Sequence, residues 1–270
     1  MPSKITILIP TRKRPERLDK AISCLVGLAE IKENLEFIIG VDSDDDETKQ
    51  YITETLESKL TANQISFVAL EFERLGYHRL HDYLNAMVKH ATGDWLIFYN
   101  DDAAMRTQGW DQEIRRYDGQ FKCLAFDTHN HHPYSIWPIV PRAWIEHLGT
   151  VSNHHMFDAV ISQIAYLLDI MERTPIKADH ERFDLTGEEA DETAQQRTIY
   201  EGNPSDPRDI NHPNNIAWRQ SMVEKLAQLM QSRGLDTEFW QRVKQGQQDP
   251  WVKLRANDHN NQMYTYDRKK

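Results

Sequence analysis

The chain is poor in the features that mark secreted, fibrous and membrane-spanning proteins. Only two cysteines, Cys24 and Cys123, occur in 270 residues, and each sits inside an apolar pattern. This argues against a disulfide framework or a cysteine metal site, and predicts buried free thiols in a reducing, cytoplasmic setting. No apolar run is long enough to span a bilayer, and Met1-Pro2-Ser3-Lys4 leads into a strand-like run without a secretory apolar segment. Neither a membrane anchor nor an amphipathic surface helix stands out. Internal repeats and low-complexity tracts are also lacking. Positive charge is in deficit, and a formal net charge of −10 argues against a general nucleic-acid surface.

What is present suits a soluble globular protein, with 39% hydrophobic and 27% charged residues in a length that fits one large domain or a domain with an appendage. Charge is unevenly placed. Thr11-Arg12-Lys13-Arg14-Pro15-Glu16-Arg17 is basic, whereas Asp42 to Glu47 and Glu188 to Glu192 are acidic.

Hydrophobic periodicity predicts strands at Ile5 to Ile9, Leu35 to Val41, Ile65 to Leu70 and from Trp95 onward. Between them, helices are predicted over Pro15 to Leu28, Glu47 to Leu60 and Arg79 to His90, the last stopped by Ala91-Thr92-Gly93. Strand and helix alternate, so the expected class is α/β, a mostly parallel sheet with helices on both faces. Further strands are expected at Phe121 to Phe126, Ser135 to Val140 (broken by Pro138) and Thr174 to Ala178. Helices are expected at Arg142 to Leu148, Met156 to Ile170, Ala217 to Ser232 and Asp236 to Val243, with a polar excursion from His180 to Asn215.

The run Trp95-Leu96-Ile97-Phe98-Tyr99 ends on Asn100-Asp101-Asp102. A buried strand ending there puts adjacent carboxylates at the carboxyl edge of a sheet, where open α/β folds bind ligands. They repel unless hydrogen bonds or a cation hold them, and a hard divalent metal carrying a phosphate is the natural occupant. An acidic turn is the plainer alternative. Pro10-Thr11-Arg12 and Asp42-Ser43-Asp44 end the first two strands and would share this edge. Together they suit a nucleotide, with a carboxylate to accept from base or ribose and basic groups near a diphosphate.

These blocks, with Asn85 and Ala91-Thr92-Gly93-Asp94-Trp95, resemble the GT-A glycosyltransferases of the family-two-like group in order and spacing over roughly residues 4–115. The resemblance implies a Rossmann-like GT-A sheet and a nucleotide-sugar half over residues 1–115. An acceptor and catalytic half over 116–215 and a helical extension over 216–270 would follow. It implies a metal-dependent hexosyl- or pentosyltransferase moving a sugar from a nucleotide-sugar donor, UDP-sugar favoured, to a hydroxyl acceptor.

Carried over residue by residue, Pro10, Thr11, Arg12, Asp42 and Asn85 hold the donor, joined by Asp44 and Asp101. Asn100-x-Asp102 is the element for Mn²⁺ or Mg²⁺. Asn100 departs from the usual first carboxylate, so Asp102 is the firmer ligand. Leu84 stands where many relatives carry arginine, and Arg79 or His78 either replaces that charge from the preceding turn or belongs to a solvated helix start. Asp158, ahead of Ala159 to Leu168, is either the base that takes a proton from the acceptor or a helix-start carboxylate. His180 is either a further metal ligand, as in several retaining enzymes, or an exposed loop histidine.

In His129-Asn130-His131-His132-Pro133 the spacing lacks an i, i+4 pair or a cysteine partner, which argues against zinc and for an acceptor-side loop. Trp137 and Trp144 are either stacking surfaces beside it or core. Asp191-Glu192-Thr193 is either a lid segment or a solvated acidic loop. The His- and Trp-rich second half also resembles phage enzymes that glycosylate hydroxymethylated bases in DNA, in the host cytoplasm. That alternative needs Arg115, Arg116, Lys253 and Arg255 on one face. A nucleotidyltransferase is disfavoured, because no glycine follows the first strand in Pro10-Thr11-Arg12-Lys13-Arg14. A non-catalytic nucleotide-binding module would be favoured by Asn100.

Overall fold

The computed structural model describes residues 2–127, 133–181 and 203–253. Four strands, β1 (Ile5–Thr11), β2 (Leu35–Asp42), β3 (Ser66–Phe72) and β4 (Trp95–Phe98), pair in parallel in the order β3-β2-β1-β4. Their side chains alternate between two cores. Ile7, Ile9, Phe37, Ile39 and Ile97 face one side, and Leu8, Ile38, Leu96 and Phe98 face the other. β1, β2 and β4 are buried on both faces, which is why they read as continuous apolar runs.

Helix α1 (Pro15–Leu28) starts with Pro15 in its first turn and buries Leu18, Ala21, Ile22 and Leu25 on the Ile7 side. The next helical stretch is α2 (Asp46–Tyr51), a π turn at Ile52–Leu56, then α3 (Glu57–Ala62). α4 (Leu80–Met87) packs Leu84 and Met87 on the other side, between tight 3-10 turns at Tyr77–Arg79 and Val88–His90. Gly93 lies against the start of β1. A Cβ there would fall 2.7 Å from the Thr6 backbone nitrogen, so only glycine fits.

The sheet continues through β7 (Ile139–Pro141), β6 (Cys123–Asp127), β8 (Met171–His180) and β5 (Ala103–Met105), making eight strands in all. β7 runs antiparallel to β4 and β6, whereas β8 runs parallel to β6 and antiparallel to β5. The long β8 thus starts beside β6 and ends beside the residues that follow β4. Helices α6 (Arg142–Leu148), α7 (Phe157–Leu167) and α8 (Pro213–Ser232) cover the Leu8 face, and α9 (Glu238–Lys244) adds Trp240.

Several boundaries differ from expectation for physical reasons. α7 stops before Asp169, whose φ of 57° leaves the helix. β7 begins only after Pro138, which has no N–H for the ladder. α8 starts at Pro213 rather than Ala217, because the His212 side chain accepts from Asn214 N and caps a polar first turn. β8 outruns Thr174 to Ala178 at both ends by pairing with two partners. Strand β5 and helix α5 (Trp110–Arg115) were not anticipated.

α5 is fixed by its polar residues. Asp111 is fully buried and accepts from Glu30 N at 2.9 Å, from Ile31 N at 3.0 Å, and from the buried Arg115 guanidinium. Arg115 Nε in turn donates to Ser3 O at 3.0 Å.

Ahead of α8, the segment 203–212 is strapped to the residues that precede α7. Asn215 Nδ2 donates to Pro207 O and Asp209 O, and His154 Nε2 lies 2.7 Å from Arg208 O. His154 Nδ1 accepts from Met156 N at 3.1 Å, so the ring is neutral with its proton on Nε2.

Two tests follow. Removing Asp111 strands a buried guanidinium and two amides, so Asp111→Ala should cost about 3–5 kcal/mol in denaturant unfolding; a loss below about 1 kcal/mol would contradict this role. Burial, opposed by the bond to Arg208 O, lowers His154 from 6.5 to about 4. Its native pKa is below its unfolded one, so its contribution is whole above pH 6.5 and fades as pH falls towards 4. The full loss is roughly 3 kcal/mol at most. A His154→Gln variant should therefore show a flatter melting temperature between pH 6.5 and 4 than the parent; parallel curves would refute the assignment.

Candidate active site

Parallel register puts the ends of β1, β2 and β4 on one edge of the sheet, with Thr11 level with Val41. The carboxylates there are met by the segment between β1 and α1. Arg12 Nη1 donates to Asp42 Oδ2 at 2.8 Å and to Asp44 Oδ1 at 2.5 Å, and Nη2 reaches Asp44 Oδ2 at 3.0 Å. Lys13 N donates to Asp45 Oδ2, while the other oxygen of Asp45 accepts from Thr48 N to cap α2. Asp101 accepts from Thr11 Oγ1 at 2.8 Å and Arg14 Nη1 at 3.1 Å. Pro10 is half-buried beside Gly40. The expected cluster Pro10, Thr11, Arg12, Asp42, Asp44 and Asp101 is therefore assembled. Within it the Arg12 charge is already engaged by two carboxylates.

Asp42 has a second donor that the sequence did not reveal. Tyr83 Oη donates to Asp42 Oδ1 at 2.5 Å and accepts from Leu75 N at 2.8 Å. Burial and the Asp42 carboxylate hold its phenol up at about 12, so it stays a donor at neutral pH.

The turn after β4 separates its two aspartates. The Asn100 carbonyl accepts from Ala103 N at 3.3 Å, and Asn100 itself is half-buried. Burial pushes Asp101 above the ordinary carboxylate range; Arg14 opposes this and the Asp102 charge adds to it. Burial acts against ionisation of Asp102 too, but His180, Arg14 and Arg17 outweigh it and hold this carboxylate below its ordinary range. Neighbouring acids pushed apart in this way take different roles.

His180 reaches Asp102 through strand register. β5 and β8 pair Ala103 with His180, and Glu181 N donates to Asp102 O at 2.7 Å. His180 Nε2 lies 3.3 Å from Asp102 Oδ1, close enough for an ion pair when the ring is protonated, without the alignment of a hydrogen bond. That buried oxygen has no hydrogen-bond partner among the described residues. Trp137 packs edge-on to the His180 ring at 5.2 Å and fixes its plane. Arg17 donates to Glu181 O and Lys20 to the Glu181 carboxylate, so α1 anchors the end of β8.

A carboxylate oxygen without a hydrogen bond, beside an imidazole, fits a divalent cation. Among the described residues no group of three or more His, Cys, Asp or Glu side chains could hold a metal ion. A cation at Asp102 and His180 would thus need oxygens from a bound phosphate, as Mg²⁺ and Mn²⁺ commonly do.

Other expected residues lie apart from this cluster or do different work. The Asn85 amide holds the 150–152 loop, accepting from Val151 N at 2.7 Å and donating to Ser152 O at 2.8 Å. Arg79 pairs with Asp82 one turn into α4, at 2.6 Å, and His78 is exposed. Asp158 is in the first turn of α7, half-buried. Its neighbour Phe157 packs on Phe98 at 5.8 Å, which brings that helix start towards the carboxyl end of β4. Trp137 and Trp144 are fully buried, so both belong to the core and neither is a stacking surface. His129, Asn130, His131, His132, Asp191, Glu192, Thr193 and Arg255 lie outside the described residues.

Of the four basic residues that a DNA acceptor would need on one face, Arg115, Arg116 and Lys253 are described. Arg115 is buried against Asp111, a correction that follows from its place inside α5. Arg116 pairs with Glu113, and Lys253 with Asp169. No helix among the described residues is long and apolar enough to cross a membrane.

Solved structures share this architecture. The mannosyltransferase PcManGT from Pyrobaculum calidifontis, in complex with GDP-Man and Mn²⁺, superposes with a TM-score of 0.54 at 11% identity, over 96% of this chain and 87% of that one. S. aureus TarS in complex with UDP-GlcNAc gives 0.52 at 13% identity, over 84% of this chain and 73% of that one. GalNAc-T7 with UDP, GalNAc and Mn²⁺ gives 0.52 at 10% identity, over 66% and 44%. No curated protein sequence matches the chain. At these identities the structures establish the fold, which is GT-A. The family model described as glycosyl transferase family 2 matches residues 6–171, more than half of the chain, and the protein belongs to that family of glycosyltransferases.

Proposed function

We propose that the enzyme transfers a sugar from a nucleotide-sugar donor to a hydroxyl acceptor, with a divalent cation held by Asp102 and His180. The observation that carries this reading is the buried Oδ1 of Asp102, without a hydrogen bond and 3.3 Å from His180 Nε2, at the edge where β1, β2 and β4 end. Neighbours of the same fold carry GDP-Man with Mn²⁺, UDP-GlcNAc, and UDP with Mn²⁺ in their structures.

In this reading Asp42 accepts from a donor N–H or ribose hydroxyl with the lone pairs that Tyr83 and Arg12 leave open. Thr11 and Arg14 keep Asp101 in place beneath the diphosphate, while Asp102 and His180 face it. The bound cation would supply Lewis-acid stabilisation of charge on the departing diphosphate. Arg14 and Arg17, close enough to act on Asp102, add fixed positive potential to that end.

Asp158 is the base in this reading, as the carboxylate in the first turn of α7, the helix whose Phe157 packs on Phe98 at the end of β4. The acceptor oxygen forms its bond to the anomeric carbon as the bond to the diphosphate oxygen breaks. The hydroxyl proton passes to the Asp158 carboxylate, and the anomeric centre inverts. The acceptor class favoured is a saccharide or other small hydroxyl compound, since Arg115 is withdrawn from the surface.

Asp102→Ala should abolish Mn²⁺-dependent binding of UDP or GDP in calorimetric titration; heats unchanged from the parent would remove the metal assignment. Asp158→Asn should keep nucleotide binding within about twofold while turnover falls by about 10²–10⁴. Parental turnover in that variant would remove Asp158 from the chemistry.

A further inference from the structure

Tyr83 stands where two parts of the structure meet. Its ring is buried on α4 and packs edge-to-face on Phe72 at 5.1 Å. Phe72 ends β3 in register with Asp42 and accepts at its carbonyl from Ser43 N at 2.7 Å. A phenylalanine would fill this place equally well, so packing alone does not require the hydroxyl. The hydroxyl has one proton, and its partners fix where it points. Leu75 N–H can only donate, so the phenol accepts from it and gives its own proton to Asp42.

Two consequences follow. With Tyr83 on Oδ1 and Arg12 on Oδ2, the Asp42 carboxylate is held at both ends and cannot rotate without losing one of them. The same hydroxyl also fixes the loop 73–79, which turns sharply at Gly76 with φ of 81°. That loop carries Arg74, which acts electrostatically on Asp44, and Tyr77, which packs on His155 at 5.3 Å. His155 lies just ahead of α7, so the loop connects the carboxylate ends of the sheet with the segment that leads to Asp158.

We infer that Tyr83 is a positioning residue for the donor nucleotide, fixing the Asp42 carboxylate and tying the 73–79 loop to it so that nucleotide binding and loop order are coupled. This rests on Asp42 being a donor-binding group. It goes further by giving the loop a part in donor binding and by naming the side chain that transmits it. Loss of a hydrogen bond to a charged group should weaken binding about tenfold.

The test uses the full chain with Mn²⁺ and UDP or GDP. Tyr83→Phe should raise the nucleotide Kd, and the donor KM in a turnover assay, about tenfold, with kcat within about twofold of the parent. In the parent, amide exchange across residues 73–77 should slow when nucleotide is added. The slowing should be lost in Tyr83→Phe. A purely structural hydroxyl would lower the melting temperature and leave Kd and KM unchanged, which overturns the inference while the donor-site reading stands. If Tyr83→Phe does not fold, exchange in the parent decides, and rates unaffected by bound nucleotide overturn it. If the parent binds no nucleoside diphosphate, both readings fall.

Discussion

The structure turns on how negative charge at the carboxyl edge of the sheet is held. Asp42, Asp44, Asp45, Asp101 and Asp102 all gather there, because the strands before them run in parallel and point to one edge. Left alone, such a cluster would repel itself apart. The segment between β1 and α1 prevents this. Arg12 takes Asp42 and Asp44, the Lys13 amide takes Asp45, and Thr11 with Arg14 takes Asp101. Asp102 is the carboxylate this segment leaves over, and β8 brings His180 to it from across the sheet.

That division of labour explains why adjacent aspartates behave differently. Asp101 is a structural acid, buried under hydrogen bonds, whereas Asp102 is held ionised and has a buried oxygen without a hydrogen bond, beside His180. Neutralising neighbours and a carboxylate oxygen not spent on a hydrogen bond suit a site for a phosphate-borne cation. The basic segment thus has a part in holding the edge together that needs no ligand. It makes the edge stable before any ligand arrives, and so preorganises it.

Much of the fold was legible in the sequence where an element buries a continuous apolar face, as β1, β2, β4 and α1 do. Pro15–Leu28 and Arg142–Leu148 read at their observed ends, since Leu18, Ala21, Ile22 and Leu25 in the one and Trp144, Ile145 and Leu148 in the other keep helical spacing. β5 was hidden because Ala103–Met105 is too short to show a period, and α5 because its buried face contains Asp111 and Arg115. Of the site, the strand ends were visible as apolar runs stopping on polar residues. The pairing of Arg12 with Asp42 and Asp44 was not, since it depends on register between β1 and β2. Tyr83 was invisible for a different reason: a tyrosine on the apolar face of a helix reads as core, and only its hydroxyl contacts show otherwise. Asn85 shows the limit of motif reading, because its amide is committed to the 150–152 loop.

The proposal stands or falls on whether Asp102 and His180, alone among the described residues, hold a cation whose shell a donor diphosphate completes. Mn²⁺ titration followed by electron paramagnetic resonance tests this directly. The account predicts that the free-ion signal hardly changes with protein alone and falls when UDP or GDP is added with the protein, beyond the fall that the nucleotide alone produces. Tight Mn²⁺ binding without nucleotide, or none beyond the nucleotide's own, would contradict it.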